Sequence, residues 1–349
     1  MTDWKEILRS SITSPQELPS RLKDGCGSDM AEVVKRYPMR INPYYLGLIK
    51  DKGDPIWRQA VPHPAEIKDY IGMADPLAEE NLSPVPNLVH KYPDRVLFLV
   101  SARCAMYCRF CTRKRKVGKS CMKISKKNIQ DAVRYLENTP TIHDVLLSGG
   151  DPLLLEDGEL DDILGKIHAI SHIYIIRIGS RVPCTLPMRI TPSLVKILTK
   201  YQPLYINTHF NHPMELTSKA RLACERLADG GIPLACQTVL LKNINDDSRI
   251  LKKLFYGLLK MRVRPYYLFQ ADLTQGTNHF RTATQTGINI MRDLIGSVSG
   301  MAVPTYALDA PGGKGKIPLT PQYILKNGQN LHFNNYLGEK CCYPEIADI

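Results

Sequence analysis

From about residue 95 onward, short runs of apolar and often β-branched residues alternate with stretches in which apolar residues recur at helical spacing. An apolar run bounded by polar or turn residues predicts a strand. The predicted strands cover residues 96–101, 142–147, 173–178, 203–207, 233–241, 265–269 and 303–308. Strands that alternate with helices are typical of βα units around a parallel sheet.

The stretches between these strands place their apolar residues on one helical face. Two such sets are Ile129, Ala132, Val133 and Leu136, and Leu160, Ile163, Leu164 and Ile167. Further helices are predicted over residues 216–228 and 250–260, and Gly230-Gly231 after the first of them is a typical stop signal. Six or seven βα units predict a partial or complete barrel, whose active site lies at the carboxyl ends of its strands.

The two ends of the chain lack this alternation. Residues 1–90 are rich in proline and charge without a clear strand period, which predicts a mostly helical N-terminal extension. Residues 91–310 contain the βα units, and residues 311–349 are predicted to form a glycine-rich loop and a short tail. The predicted fold is therefore an α/β partial barrel of the (β/α)6 type with an extension at each end.

Composition excludes several classes of protein. Of the 349 residues, 44% are apolar and 23% are charged, which is ordinary for a globular protein and excludes a disordered chain. The apolar runs are too short to span a bilayer, and the N-terminus lacks the pattern of an export signal, so we expect a soluble cytoplasmic protein. A net charge of +12 suits anionic partners, which include nucleic acids, membrane surfaces and phosphorylated or carboxylated small molecules.

Ten cysteines in a chain without an export signal are expected to be thiols or metal ligands. Cys104, Cys108 and Cys111 follow the first predicted strand with the spacing C-x3-C-x2-C. Three thiolates at this spacing can hold three corners of a [4Fe–4S] cluster and leave the fourth iron open to a small molecule. A zinc site usually has a fourth Cys or His ligand, and the next histidine along the chain is His143. The cluster is therefore favoured over zinc.

The cysteine motif at the end of the first barrel strand resembles that of the radical S-adenosylmethionine (SAM) enzymes. In that superfamily the open iron binds SAM, whose reductive cleavage gives a 5′-deoxyadenosyl radical. The segment Ser148-Gly149-Gly150-Asp151 follows the second predicted strand and resembles the segment whose backbone contacts the methionyl amino group of SAM. A Gly-Gly-Asp sequence alone would indicate only a turn, but its position one βα unit after the cysteines supports SAM binding.

A narrower resemblance, to the lysine 2,3-aminomutase family, extends from about residue 38 to residue 325. It is strongest in residues 106–109, 111–113, 177–181, 207–213, 262–267 and 309–313. The resemblance implies an isomerase that interconverts L-lysine and β-lysine by a radical 1,2-amino shift. The implied cofactors are a [4Fe–4S] cluster, SAM and pyridoxal 5′-phosphate, and the implied partner is a flavodoxin- or ferredoxin-type reductant.

In that family, the lysine that binds pyridoxal phosphate closes a Pro-Gly-Gly-Gly-Gly-Lys segment. The corresponding segment here is Pro311-Gly312-Gly313-Lys314-Gly315-Lys316. A glycine-rich loop lets the backbone approach a flat cofactor, and a lysine on it can form an imine. The same sequence would also suit a surface loop with solvated lysines. The resemblance assigns the cofactor to Lys316, with Lys314 in place of a glycine.

The resemblance also assigns three residues to the substrate. Asp272 and Asp309 match the aspartates that bind the ε-ammonium group, and Arg113 matches the arginine that binds the carboxylate. Two carboxylates form charge-assisted bonds with an ammonium group that an acidic side chain cannot replace, and guanidinium is well suited to a carboxylate. Taken singly, Asp272 would fit a helix cap and Asp309 a turn.

Three alternatives stay open. Arg113 belongs to a basic run, residues 109–119, that would suit an RNA-modifying radical enzyme, although the pyridoxal-type loop does not favour a nucleic-acid partner. A second alternative is an aminomutase of opposite stereochemistry that supplies β-lysine for the modification of elongation factor P. The third is a non-catalytic iron–sulfur or zinc protein.

Some positions depart from the family pattern or carry a weaker assignment. No C-x-C-x2-C zinc motif follows Cys341-Cys342, which leaves open a structural zinc ion and a homo-oligomer. Phe110 occupies a position where the long clostridial-type enzymes have histidine. His209 and Gln237 match positions on the SAM side of the site, although each would also suit a polar residue bonded within the barrel. The other cysteines are expected to be isolated, mostly buried thiols: Cys26, Cys121, Cys184, Cys224 and Cys236.

Overall fold

The computed structural model describes residues 3–23, 28–119, 122–326, 328 and 330–346. These residues form a nine-stranded sheet whose strands lie side by side in chain order. The strands are β1 (Leu88–Tyr92), β2 (Arg95–Ser101), β3 (Asp144–Gly149), β4 (Ile175–Ser180), β5 (Leu204–Thr208), β6 (Leu234–Leu240), β7 (Val263–Gln270), β8 (Thr305–Asp309) and β9 (Lys316–Pro318). Strands β2 to β8 run parallel, whereas β1 and β9 are antiparallel to their neighbours.

Helices precede the sheet and connect its parallel strands. Those before the sheet are α1 (Trp4–Arg9), α2 (Ser20–Lys23), α3 (Ser28–Arg36), α4 (Pro43–Leu46) and α5 (Pro55–Ala60). Those between strands are α6 (Lys126–Glu137), α7 (Asp157–His168), α8 (Val182–Thr185), α9 (Pro192–Leu198), α10 (Ser218–Asp229), α11 (Ser248–Lys260) and α12 (Thr284–Leu294). The apolar residues predicted for the faces of α6 and α7 are buried in the main hydrophobic core.

The predicted partial barrel is confirmed. All seven predicted strands are present, and each end lies within two residues of the prediction. Within the described residues the sheet stays open, because β1 and β9 are its two edges. No helix in this part of the chain is both long enough and apolar enough to cross a membrane.

The sheet edge and the C-terminal region differ from the prediction. Strand β1 was not predicted, and it crosses the expected boundary at residue 90. The expectation of only a loop and a tail after residue 310 is wrong, because β9 lies there and β10 (Ile324–Lys326), β11 (Asn330–Asn334) and β12 (Lys340–Pro344) form a separate antiparallel sheet. These short strands are largely exposed and contain many polar residues, so they lack the apolar runs that indicate buried strands.

The N-terminal extension packs against the loop that carries the cysteines. The backbone N–H of Tyr107 donates to the carbonyl of Arg40 at 3.0 Å, and that of Arg109 donates to Gln59 at 2.9 Å. Asn42 is fully buried, and its side-chain amide donates to the carbonyl of Ala105 at 3.1 Å. The extension therefore holds the backbone of this loop against the barrel.

Candidate active site

The three motif cysteines lie on the loop after β2. Burial of the thiols raises the pKa of Cys104 well above its ordinary value and that of Cys111 to about 11. Such thiols keep their protons until a metal ion displaces them. Among the described residues, no three His, Cys, Asp or Glu side chains converge as ligands of a single metal ion. In a [4Fe–4S] cluster each cysteine binds a different iron atom, which is the chemistry that this set of three thiols fits.

Arg181, directly after β4, contacts one of these cysteines. Its Nη1 donates to Cys108 Sγ at 2.8 Å, and its Nη2 donates to Glu215 Oε1 at 2.7 Å and to Gln59 Oε1 at 2.6 Å. Glu215 is buried, and although burial acts to raise its pKa, Arg181 holds that pKa below its usual range. A cation fixed by a buried carboxylate therefore lies in hydrogen-bond contact with the sulfur of Cys108. The sequence analysis assigned Arg181 no role.

A second buried ion cluster fixes the same loop. Glu66 accepts hydrogen bonds from Arg109, with Nε 3.0 Å from Oε1, and its Oε2 lies 2.7 Å from Lys114 Nζ. Although burial acts to raise it, these two cations lower the pKa of Glu66 to about 2. Lys114 also donates to the carbonyl of Gly276 at 2.8 Å. The cluster joins the cysteine loop to the N-terminal extension and to the segment after β7.

The glycine-rich segment after β3 lies against the start of the cysteine loop. Gly149 has φ +133°, and a Cβ there would lie 2.2 Å from the carbonyl oxygen of Ser101, so only glycine fits. The carboxylate of Asp151 accepts the hydroxyl of Ser180 at 2.7 Å and three backbone N–H groups. Burial nevertheless raises the pKa of Asp151 to about 6. This side chain is occupied in joining the ends of β3 and β4.

Unpaired buried polar atoms mark the carboxyl end of β5. Asn207 Nδ2 and Thr208 Oγ1 are buried without a hydrogen-bond partner, which is uncommon in folded proteins and fits a site for a polar ligand. Burial lowers the pKa of the adjacent His209 to about 3, so its ring is neutral near pH 7, and it donates to Asn211 Oδ1 at 3.0 Å. Its ring centre lies 5.5 Å from that of Phe110. These residues fit the side of the site assigned to SAM.

A cavity of about 340 Å³ lies between the edge strands and the strands of the barrel. Lys91 and Tyr92 of β1, Gln237 of β6, Asp309 of β8 and Lys316 of β9 line it. The size is in the range of pockets for small ligands and cofactors. Gln237 therefore shares the cavity of Lys316.

Lys316 rather than Lys314 faces this cavity. The Nζ of Lys316 lies 3.1 Å from Asp309 Oδ2 and 5.3 Å from the ring centre of Phe269. Its backbone N–H donates to Tyr92 Oη at 3.0 Å, whereas Lys314 is exposed. The structure therefore separates the two lysines of the glycine-rich loop in the way that the resemblance assigned them.

The two aspartates assigned to the substrate come together beside Lys316. Burial, followed by the charge of Asp309, raises the pKa of Asp272 to about 7. Asp309 also accepts from Lys91 Nζ at 3.1 Å. Asp309 ends β8 and is not a turn residue. The sequence analysis missed Lys91, which lies on the unpredicted strand β1.

Cationic and aromatic side chains suit the other parts of pyridoxal phosphate. The guanidinium of Arg95 lies 3.8 Å from the ring centre of Tyr92, and both residues line the cavity. The rings of Tyr267 and Phe269 stack with centres 4.8 Å apart. A lysine that can form an imine, an arginine for a phosphate and flat rings for a pyridine form a donor set that fits this cofactor.

Arg113 is held by a carboxylate that the sequence analysis missed. Glu79 accepts from Arg113 Nε at 2.9 Å and from Nη2 at 2.6 Å. Arg113 Nη1 lies 3.4 Å from Ser148 Oγ and 3.3 Å from the carbonyl of Gly149. Glu79 lines the cavity and Arg113 does not. A ligand in the cavity therefore meets Glu79 before it meets Arg113.

Most cations of the basic run around Arg113 pair with carboxylates of the same molecule. Its pairs are Arg109 and Lys114 with Glu66, Arg113 with Glu79, Arg115 with Asp75, and Lys116 with Glu80. These cations therefore already have carboxylate partners, whereas the alternative of an RNA-binding surface requires them to meet phosphates.

Comparisons with known proteins agree with this geometry. The family model described as lysine-2,3-aminomutase matches residues 291–349, and that of the radical SAM superfamily matches residues 98–254. An L-lysine 2,3-aminomutase of Methanococcus maripaludis is 49% identical over 99% of this chain and 82% of its own length. The chain belongs to the lysine 2,3-aminomutase family.

Relatives in this family differ in substrate. An L-lysine 2,3-aminomutase of Clostridium subterminale is 46% identical over 98% of this chain and 84% of its own length. A glutamate 2,3-aminomutase of Clostridioides difficile is 45% identical over 85% of this chain and 71% of its own length. As a family member, the protein is a radical SAM aminomutase, an isomerase that uses a [4Fe–4S] cluster, SAM and pyridoxal phosphate.

Of the isolated cysteines expected from the sequence, Cys184, Cys224 and Cys236 are buried and free. Cys26 and Cys121 lie outside the described residues.

Proposed function

We propose that this aminomutase moves the α-amino group of L-lysine to carbon 3 and so interconverts L-lysine and β-lysine. The observation that carries the proposal is the pair Asp272 and Asp309 beside Lys316. If Lys316 is counted as uncharged, the two carboxylates and Lys91 together carry one net negative charge. An ε-ammonium group complements that charge, whereas the side chain of glutamate would add a further carboxylate. The chain is 46% identical to a lysine enzyme and 45% identical to a glutamate enzyme, so overall identity does not favour either substrate.

We assign the cofactors to the residues that the family resemblance implies, and the contacts described above support most of these assignments. Cys104, Cys108 and Cys111 hold the cluster, and the backbone of residues 148–151 and His209 serve SAM. Gln237, which the resemblance assigns to the SAM side, lines the cavity of Lys316 instead. Lys316 binds pyridoxal phosphate. When bound, the cluster and SAM supply a 5′-deoxyadenosyl radical, and pyridoxal phosphate carries the migrating nitrogen.

The protein contributes proton transfer and positioning. Asp309 Oδ2 lies 3.1 Å from Lys316 Nζ. The carboxylate is therefore close enough to take up a proton from that amine and to return it. Arg113 binds the substrate carboxylate, and Asp272 with Asp309 binds the ammonium group at the other end. Two clamps fix carbon 3 between them. Exclusion of water and other hydrogen donors from the filled cavity would protect the radical.

The test is amino-acid analysis on a chiral column after anaerobic incubation. The protein is reconstituted with iron, sulfide, pyridoxal phosphate, SAM and a strong reductant, and L-lysine and L-glutamate are supplied in parallel. We expect β-lysine from L-lysine and no β-glutamate. Cleavage of SAM without any change in lysine would refute the substrate assignment, and Asp272→Asn should give that result if the acidic pair selects lysine.

The enantiomer formed in the same experiment tests the role in elongation factor P modification, because that alternative differs in stereochemistry at carbon 3. A flavodoxin- or ferredoxin-type protein is the proposed physiological reductant. Replacing the chemical reductant with a purified flavodoxin and its reductase, and measuring cleavage of SAM, tests this partner.

A further inference from the structure

Residues 74–87 form an irregular segment that leads from the N-terminal helices to β1. We call this segment the strap. Two of its acidic side chains pair with cations that follow the cysteines. Asp75 Oδ2 lies 3.0 Å from Arg115 Nη2, and Glu80 Oε1 lies 2.9 Å from Lys116 Nζ. Charge therefore attaches the strap to the segment after the cysteine loop.

Glu79 is the acidic residue of the strap that faces inward. Its side chain is 5% exposed, whereas that of its neighbour Glu80 is 58% exposed. Ala78, directly before it, has φ +52°, a left-handed conformation that alanine rarely adopts. Strained backbone of this kind concentrates at ligand clamps and switch regions. The turn at Ala78 directs Glu79 inward and Glu80 outward.

Glu79 lines two cavities. One is the cavity that Lys316 and Asp309 line, and the other, of about 370 Å³, lies beneath the strap and is lined by residues 83–87. Glu79 lines both, and Arg113 lines neither. A ligand in either cavity therefore contacts Glu79 rather than Arg113.

Glu79 and a substrate carboxylate compete for the same arginine. Glu79 engages Arg113 through both Nε and Nη2. Burial acts to raise the pKa of Glu79, but Arg113 keeps it below its ordinary value, so the side chain is ionised near pH 7. The charges of Arg115 and Lys116 also lower the pKa of Glu79, so both cations lie near its carboxylate. A second carboxylate at Arg113 displaces the first, because two anions on one guanidinium repel each other.

We propose that Glu79 is a carboxylate gate, which holds Arg113 until the carboxylate of the incoming amino acid displaces it. The inference rests on the proposed binding of the lysine carboxylate by Arg113. A ligand without a carboxylate cannot displace Glu79 without leaving a buried guanidinium unpaired. The carboxylate of an amino acid therefore takes the place of Glu79 at Arg113, whereas an amine of the same length leaves the pair of Glu79 and Arg113 intact.

The test compares L-lysine with cadaverine, which is lysine without its carboxylate. Binding of each to the protein loaded with cluster and pyridoxal phosphate, without reductant, is measured by anaerobic calorimetry. Glu79→Gln keeps the shape but removes the charge, so we expect L-lysine to bind roughly tenfold more tightly, as loss of one competing charged hydrogen bond predicts. The affinity for cadaverine should not change. Glu80→Gln is the matched control and should alter neither affinity.

An unchanged or weaker affinity of Glu79→Gln for L-lysine overturns the gate, as does an equal gain for both ligands. Glu79→Asp, which keeps the charge but has a shorter reach, provides a second variant and should give a smaller gain for L-lysine alone. Arg113→Gln separates this inference from the proposed function. If that variant keeps the preference for L-lysine over cadaverine, the assignment of Arg113 fails. If it loses the preference while Glu79→Gln behaves as wild type, only the gate fails.

Discussion

The loop that carries the cysteines and the loop that carries Lys316 serve the same site but are held in different ways. The cysteine loop is fixed by Glu66, which is buried with two cations of the loop, and by Arg181. The lysine loop, residues 310–315, is largely exposed and is held mainly by backbone hydrogen bonds, such as Ala310 N–H to Gly315 at 2.8 Å. In the proposed function, cluster ligands must keep one geometry, whereas Lys316 must be free to exchange its bond to pyridoxal phosphate. The firm loop and the loose loop match these two tasks.

The largest effect is expected for substitution of Lys316, which follows the loose loop. Lys316→Ala should lower the rate of β-lysine formation roughly a thousandfold or more, because the covalent attachment of pyridoxal phosphate is lost. Iron content and the absorbance of the cluster should stay unchanged, because the cysteine loop is fixed independently. Lys314→Ala removes the same charge from the same loop and should keep nearly full activity. Full activity in the Lys316 variant, or equal loss in both, would contradict the assignment.

The next effect tests the firm loop. Glu66→Ala leaves Arg109 and Lys114 buried without their counter-ion, which should lower the free energy of unfolding by about 3–5 kcal/mol. Urea unfolding measures this loss, and the iron bound after reconstitution should fall with it. Glu156→Ala breaks the exposed pair with Lys5, whose side chains are 47% and 39% exposed, and should cost less than about 1 kcal/mol. Similar losses in the two variants would show that the buried cluster does not stabilise the loop.

The contrast between these loops also shows how far the sequence could predict the site. The cysteines lie in a local motif whose spacing points to a cluster, whereas Lys316 lies in a local glycine-rich segment that only the family resemblance assigned to pyridoxal phosphate. The counter-ions come from elsewhere: Glu66 is 43 residues from Arg109, and Lys91 is 218 residues from Asp309. Such pairs depend on which loops the barrel brings together.

The same reasoning applies to the fold. The central strands were predicted from apolar runs, which are clearest where most residues of the strand are buried, as in β2. Strand β1 and the C-terminal strands are partly exposed and contain His90, Lys91 and Asn330 among their residues. One signal was available for Glu79. The acidic residues at 75, 79 and 80 complement the cations of the run at 109–119, which a search for opposite charge runs would have paired.

A smaller effect concerns pH, which should change substrate binding beside Lys316 but not the cysteine loop. Burial raises the pKa of Asp272 to about 7, and in the proposed function its carboxylate binds the ε-ammonium group only when ionised. The charged groups that act on it are Asp309, Lys316, Lys91 and Glu79. Lowering the pH from 8 to 6 protonates Asp272, so the KM for L-lysine should rise about tenfold. Glu66, with a pKa of about 2, stays ionised across this range, and the iron content should not change.

The control for the pH effect is Asp272→Asn, in which KM for L-lysine should be high at both pH values and nearly independent of pH. The same slope in this variant as in the wild type would assign the titration to another group. Loss of iron at pH 6 would show that the cysteine loop shares the pH sensitivity of the lysine side.

The smallest effect probes how loosely the lysine loop is held. Gly312 has φ +77°, and a Cβ there would meet no atom within 4 Å, so Gly312→Ala introduces backbone strain without a clash. The strain should lower the free energy of unfolding by about 1 kcal/mol at most, because alanine tolerates this conformation poorly. Gly158 in α7 also has open space around its Cβ position but has helical φ, so Gly158→Ala should instead stabilise by about 0.5–1 kcal/mol. A loop that can shift locally will absorb part of the strain at Gly312, and urea unfolding will then give a loss below that figure. A loss of several kcal/mol would mean that the lysine loop is as firmly packed as the cysteine loop, and the proposed division between a firm and a loose loop would be wrong.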